Sequence, residues 1–236
     1  MQCVILAGGL GTRMKSYTEQ IPKSLIPAAG EPFLKHQLDY LSSQGVDRVL
    51  LSIGYKGSLI RDFIQEHPRK DLTVEFVDEG DRLRGTAGAL RLALEEDKLQ
   101  PLFLILYGDS FLPIEFGPVW QRFEKGPEPA LMTVLKNEGK WDRSNACFDG
   151  NRVTLYQKDL TPKPPEMRYI DYGLTALHRT IIEQEVPPGG SGDLSDVFHR
   201  LSLLQSLAGY EVHKRFFEIG SPSGLSDFVN YITKQK

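Results

Sequence analysis

Cysteine is scarce: the 236 residues hold two, Cys3 and Cys147, far apart and outside any C-x-x-C pair. That excludes a disulfide scaffold and a cysteine-rich metal knuckle, and two buried free thiols in a reducing compartment are expected instead. A surplus of positive charge is missing too. The formal net charge of −3 argues against a general nucleic-acid binder, which carries a strong basic excess. Small anionic ligands stay open, because they need only local positive charge. No apolar run is long enough to cross a membrane, and Gly8-Gly9 interrupts the opening run too early for a secretory leader. A cytoplasmic protein with no membrane partner is therefore expected. None of the five histidines falls in a triad-like or H-E-x-x-H setting. The remaining composition suits one large α/β domain, or one with a small insertion.

What is present starts with Met1 to Pro27. The apolar, β-branched run Cys3-Val4-Ile5-Leu6 reads as a buried parallel strand. It ends directly in Ala7-Gly8-Gly9-Leu10-Gly11-Thr12-Arg13, where three glycines in four positions let the backbone approach another group closely. On residues alone this is either a plain strand-to-helix turn or a loop that binds a polyphosphate. The spacing is neither that of the dinucleotide fingerprint nor that of the ATPase loop. The cations just beyond favour the second reading, since Arg13 offers a five-donor fork and Pro22-Lys23 adds a point charge.

Strand and helix then alternate. Leu34, Leu38 and Leu41 mark a helix that stops at Gly45, Val49 to Ile53 reads as a strand, Lys56 to Glu66 as a helix and Leu72 to Val77 as a strand. Gly85-Thr86-Ala87-Gly88 opens another helix, and Leu102 to Tyr107 is the most apolar strand in the chain, discharging into Gly108-Asp109-Ser110. This order predicts right-handed crossovers and a Rossmann-like, mostly parallel central sheet with helices on both faces. Asp109 is then either a turn cap or a metal ligand at the carboxyl end of a central strand. From Phe111 the alternation loosens. A short helix at Val119 to Phe123 and a strand at Ala130 to Leu135 follow. Asp149-Gly150-Asn151 between two strand-like runs is a hairpin signal, so a small mixed or antiparallel lobe is expected. The spacing further predicts a helix over Ser191 to Leu207, with Leu204 on its core face, a strand over Tyr210 to Phe217 and a last helix over Gly224 to Ile232. Asp193 and Asp196 are accounted for by helix-end electrostatics. Lys158 after its strand is, on residues alone, either a solvated end or a ligand.

Gly8-Gly9-Leu10-Gly11-Thr12-Arg13-Met14 followed by Pro22-Lys23-Ser24-Leu25-Ile26-Pro27 resembles the signature of the sugar-1-phosphate nucleotidyltransferases. Both parts match in order and spacing, and the look is nearest to the short bacterial members that make GDP-heptose from D-glycero-D-manno-heptose 1-phosphate. The resemblance implies one nucleotidyltransferase domain over 1–236, with a nucleotide-binding half at about 1–110 and a sugar-phosphate-binding half at about 111–236. Leu6, Ala7, Gly8, Gly9, Gly11 and Thr12 would line the nucleotide, with Arg13 on the β- and γ-phosphates and Lys23 near the α-phosphate. Gly85, Thr86, Ala87 and Gly88 would lie beside base and sugar, and the sequence departs from the family by placing Arg84 between Leu83 and Gly85. Asp109 and Glu218 would hold Mg²⁺, Glu218 standing where the family has Asp. Lys158 would hold the sugar phosphate, although Gln157 replaces the family's Glu. Asp171 and Gly173 stand for the family's N-x-G, which bears on the sugar because Asp171 only accepts hydrogen bonds.

The implied reaction joins an NTP and a sugar 1-phosphate into an NDP-sugar with release of pyrophosphate. Its nucleophile is already an anionic phosphate oxygen, so no Ser, Cys or His nucleophile is required. GTP is the expected nucleotide, with Glu79 in the right stretch to accept from guanine N1 and N2; a solvated loop carboxylate is the plainer reading of Glu79. Three alternatives stay open. One is a UTP-, CTP- or dTTP-dependent relative acting on mannose, glucose or N-acetylhexosamine 1-phosphate. Another is a non-catalytic nucleotide-sugar binding module, and the last is a cousin that transfers to a phosphorylated alcohol or a molybdopterin. No heptad or apolar stripe declares an interface, so a monomer or homodimer is expected.

Overall fold

The computed structural model describes residues 1–235, with the side chains of Arg13, Lys15 and Ser16 outside the described set. In chain order the first elements are β1 (Gln2–Leu6), α1 (Lys15–Thr18), β2 (Pro27–Ala28), β3 (Glu31–Pro32), α2 (Phe33–Ser43), β4 (Arg48–Ile53), α3 (Gly57–Glu66) and β5 (Thr73–Asp78). The middle holds α4 (Gly85–Glu95), β6 (Leu102–Tyr107), β7 (Ser110–Phe111), α5 (Phe116–Glu124), β8 (Ala130–Lys136), β9 (Ala146–Phe148) and β10 (Val153–Tyr156). The chain closes with β11 (Tyr169–His178), α6 (Arg179–Glu185), α7 (Leu194–Leu203), β12 (Leu207–Val212), β13 (Phe217–Glu218) and α8 (Pro222–Thr233). Contacts gather these into two units, neither a single run of sequence. Unit 1 holds 1–83, 106–111 and 216–236; unit 2 holds 84–105 and 112–215.

Unit 1 is built on β1, β4 and β5, all parallel, with Cys3 opposite Val49 and Val49 opposite Val74. Leu34, Leu38 and Leu41 recur every three to four residues along α2 and are all buried, as an amphipathic helix requires. The last helix belongs to this unit. Phe33, Phe111, Phe217 and Phe228 share one cluster with Met14, Ile26 and Ile219. The rings of Phe33 and Phe228 meet edge to face at 4.9 Å, a favoured aromatic geometry. α8 thereby fixes the short strand β13, which pairs antiparallel with β7, Glu218 opposite Ser110.

Unit 2 is mixed. β8 pairs antiparallel with β11 and parallel with β12, and the β9–β10 hairpin joins at Tyr169 opposite Ala146. The predicted turn is present: Gly150 has φ +101, and the Asp149 carboxylate accepts from the N–H groups of Asn151 and Arg152. Glu128, 6% exposed, takes Arg122 at 3.4 Å and Arg152 at 3.2 Å, tying the end of α5 to the start of β10. A buried carboxylate is tolerable only with such partners.

Two expectations are corrected. The helix predicted over Ser191 to Leu207 covers Leu194–Leu203. Gln205, at φ +55, ends the turn, and Leu204 is 68% exposed rather than in the core. The strand predicted over Tyr210 to Phe217 lies earlier, at Leu207–Val212. Its first residues pair with Ala130 to Met132, whereas His213, Lys214 and Arg215 are too polar to continue a buried strand. Both cysteines are free and buried, as expected.

Candidate active site

In unit 1 the site begins where β1 ends. Ala7 N–H donates to Ser52 O at 2.8 Å, and Leu6 O accepts from Gly108 N–H at 2.9 Å. Two glycines of the turn face the chain's own side chains, and Gly11 also needs a left-handed backbone. A Cβ on Gly8 would stand 2.6 Å from the Glu79 carboxylate, and Gly11 has φ +62 with the Thr18 methyl 2.8 Å from the missing Cβ. Gly9 is different. Its φ is not left-handed and no described atom lies within 4 Å of its missing Cβ, so packing among the described residues gives no reason for glycine there. Close approach of a ligand to the backbone would give one. Thr12 is exposed and opens the 3-10 turn Thr12–Met14. Arg13 lies outside the described side chains.

Lys23 and Asp109 are brought together across 86 residues. The ammonium donates to Asp109 Oδ2 at 2.5 Å, and both side chains are largely sheltered. Pro22, extended at ψ 152, directs the short turn that carries Lys23. The turn that carries Asp109 is braced by Gln37, whose amide donates to Tyr107 O at 3.0 Å and Ser110 O at 2.8 Å. Sequence reading passed over Gln37. A buried amide in a mostly apolar helix is the signal that marks it, because such a group needs partners. Asp109 O in turn accepts from Ile219 N–H at 2.9 Å, so the Glu218 segment is anchored beside it. No cluster of three or more metal-ligating side chains occurs among the described residues. Two carboxylates on neighbouring segments nevertheless fit Mg²⁺, which takes one or two and completes its shell with phosphate oxygens and water. Glu79 is half-buried, with Ser52 Oγ 3.4 Å from Oε1.

In unit 2, Gly85 to Gly88 form the first turn of α4. The N–H groups of Ala87 and Gly88 point to Gly192 O at 2.9 and 3.4 Å, and Thr86 Oγ1 accepts from Leu194 N–H at 2.7 Å. Lys158 lies 3.7 Å from Asp193 Oδ1. Asp171 accepts from Gly173 N–H at 2.9 Å, while its own N–H donates to Asn145 Oδ1 at 2.8 Å. Gly173 is left-handed at φ +104, which suits glycine. Burial pushes the Asp171 carboxyl above its ordinary range, against the Gly173 N–H, Lys158 and the Tyr156 hydroxyl, which favour the anion. Asp193 goes the other way: burial raises it, but the Ser195 bonds, Lys158 and Thr86 outweigh that and hold it low. The described polar groups form no nucleophile–base pair. They offer cations, amides and carboxylates, the means of holding phosphates.

Residues 3–186 match the family described as the MobA-like NTP transferase domain. The chain belongs to that family. This MobA-like transferase is 31% identical over 224 residues to the D-glycero-alpha-D-manno-heptose 1-phosphate guanylyltransferase of Aneurinibacillus thermoaerophilus, covering 94% of each chain. It is 36% identical over 245 residues to mannose-1-phosphate guanylyltransferase 1 of Arabidopsis thaliana, covering 100% of this chain and 66% of that one. It also spans about half the length of other curated relatives that it matches. The solved structure of HddC from Yersinia pseudotuberculosis has the same fold, with a TM-score of 0.78 at 24% identity over 98% of this chain and 99% of that one. The MobA-like transferase is accordingly an α/β protein with a mixed, mostly parallel sheet, as the alternation of its elements predicts. No helix among the described residues is long and apolar enough to cross a membrane.

Proposed function

We propose that the protein transfers a guanylyl group from GTP to D-glycero-D-manno-heptose 1-phosphate, releasing pyrophosphate. The observation that carries this reading is the Lys23–Asp109 pair at 2.5 Å, in the same unit as the open turn at Gly9. A cation on a short turn and a carboxylate past the end of β6 are what a polyphosphate and its metal require. The amides of Gly8 to Gly11 receive the phosphate chain, Arg13 takes the β- and γ-phosphates, and Lys23 faces the α-phosphate region. Asp109 and Glu218 would hold Mg²⁺, which would supply positive charge against the mutually repelling phosphates. Lys158 holds the sugar phosphate in line, with Asp171 and Gly173 against the sugar. Gly85 to Gly88 flank the nucleotide. Glu79 accepts from guanine N1 and N2, the donor edge that distinguishes guanine from other bases.

The choice of GTP draws support from the names of the two guanylyltransferase relatives. Mannose 1-phosphate is the second reading for the sugar, favoured by the Arabidopsis relative's name. Pyrophosphate release tests both, measured with Mg²⁺ across GTP, UTP, CTP, ATP and dTTP against heptose, mannose, glucose and N-acetylhexosamine 1-phosphates. Turnover confined to GTP with heptose 1-phosphate is the expected result. A maximum elsewhere discards the base or the sugar, and no turnover with any pair discards the transfer reaction.

A further inference from the structure

Asp193 precedes α7 and caps it, Oδ1 accepting from Ser195 N–H at 2.8 Å. A cap needs nothing further, yet this carboxylate also meets the Thr86 hydroxyl and stands 3.7 Å from the Lys158 ammonium. Its surroundings are built to hold it there. Thr86 Oγ1 accepts from Leu194 N–H, Ala87 N–H donates to Gly192 O, and Gly192 N–H donates to Arg84 O at 2.9 Å. The close fit excludes side chains at two places. Gly85 has φ +73 with Gly192 O 2.5 Å from its missing Cβ, and the missing Cβ of Gly88 stands 2.9 Å from Ser191 Cα. Two glycines and one hydroxyl of the Gly85-Thr86-Ala87-Gly88 stretch thus seat the segment that presents Asp193.

We propose that Asp193 is a positioning residue for Lys158. The Lys158 side chain is 46% exposed on a flexible four-carbon stem, and an unpartnered ammonium of that kind spreads over many rotamers. Asp171, the other carboxylate near it, is committed inward to Gly173 N–H. Asp193 is therefore the outer partner that selects the Lys158 conformation and yields the ammonium to an arriving phosphate. The inference rests on the reading of Lys158 as the sugar-phosphate contact, and not on which base or sugar is used.

The test is a double-mutant cycle with the NTP and sugar 1-phosphate pair of highest turnover. Asn caps a helix about as well as Asp, so Asp193→Asn removes the charge and keeps the cap. Asp193→Ser, also a cap, serves if the first variant melts early. The KM for sugar 1-phosphate should rise about fivefold in Asp193→Asn, as for a half-exposed ion pair, with the KM for NTP unchanged. In a Lys158→Ala background the same substitution should add nothing. An equal rise in both backgrounds, or none in the wild-type background, overturns the positioning role alone. An unchanged sugar-phosphate KM in Lys158→Ala overturns that role together with the reading of Lys158.

Discussion

In each unit a lysine–aspartate pair lies among the candidate site residues, and the two pairs differ. Lys23 and Asp109 stand at 2.5 Å with side chains 14% and 28% exposed, while Lys158 and Asp193 stand at 3.7 Å with 46% and 50%. In the first, Gln37 and Ile219 brace the Asp109 turn, and on the other side Lys23 O accepts from Ile26 N–H at 3.1 Å. The second is braced on the carboxylate side only. A sheltered pair has a stronger field and fewer rotamers than an exposed one. The first should thus be a rigid element of the reaction centre, and the second an adjustable grip.

Breaking the rigid pair should have the largest effect. Asp109→Asn is expected to lower kcat about a hundredfold to a thousandfold, the loss typical of a group that stabilises transition-state charge, with nucleotide binding retained by calorimetry. Loss of nucleotide binding instead would make Asp109 a structural prop. In the core beside it, Phe228→Ala should cost about 3–5 kcal/mol in denaturant unfolding, since the ring is fully buried among Phe33, Phe111 and Phe217.

The glycines sharpen the contrast. Gly85→Ala, forced into a left-handed backbone against Gly192 O, should lose about 1–3 kcal/mol of stability. Gly9→Ala should change stability by less than about 0.5 kcal/mol while raising the KM for NTP. A destabilised Gly9→Ala would show that packing, and not a ligand, demands that glycine. The smallest effect concerns Asp171. Its carboxyl is raised in the folded state, so the fold binds that proton more tightly than the unfolded chain does. Its contribution is complete below the unfolded value and is lost as pH rises through the folded one. Asp171→Asn should flatten that decline in urea unfolding followed upward from about pH 4; an unchanged slope would assign the decline to other groups.

Much of this was legible in the chain. The run Cys3 to Leu6, the run Leu102 to Tyr107 and the turn Asp149-Gly150-Asn151 announce themselves through local hydrophobicity and turn chemistry. Those signals depend on residues within a few positions of each other. The stretch past Leu203 was misread because Leu204 fits a helical period, and only Gln205 in its left-handed conformation ends the turn.

The α/β alternation, the glycine turn and the family can be read from the chain alone, because backbone preference and apolar period are local properties. Which partners those residues meet is settled by the folded chain. It closed Lys23 on Asp109, set Gln37 as the brace, and made Asp193 more than a helix cap. Each is a meeting of residues tens of positions apart, fixed by packing that no local window contains.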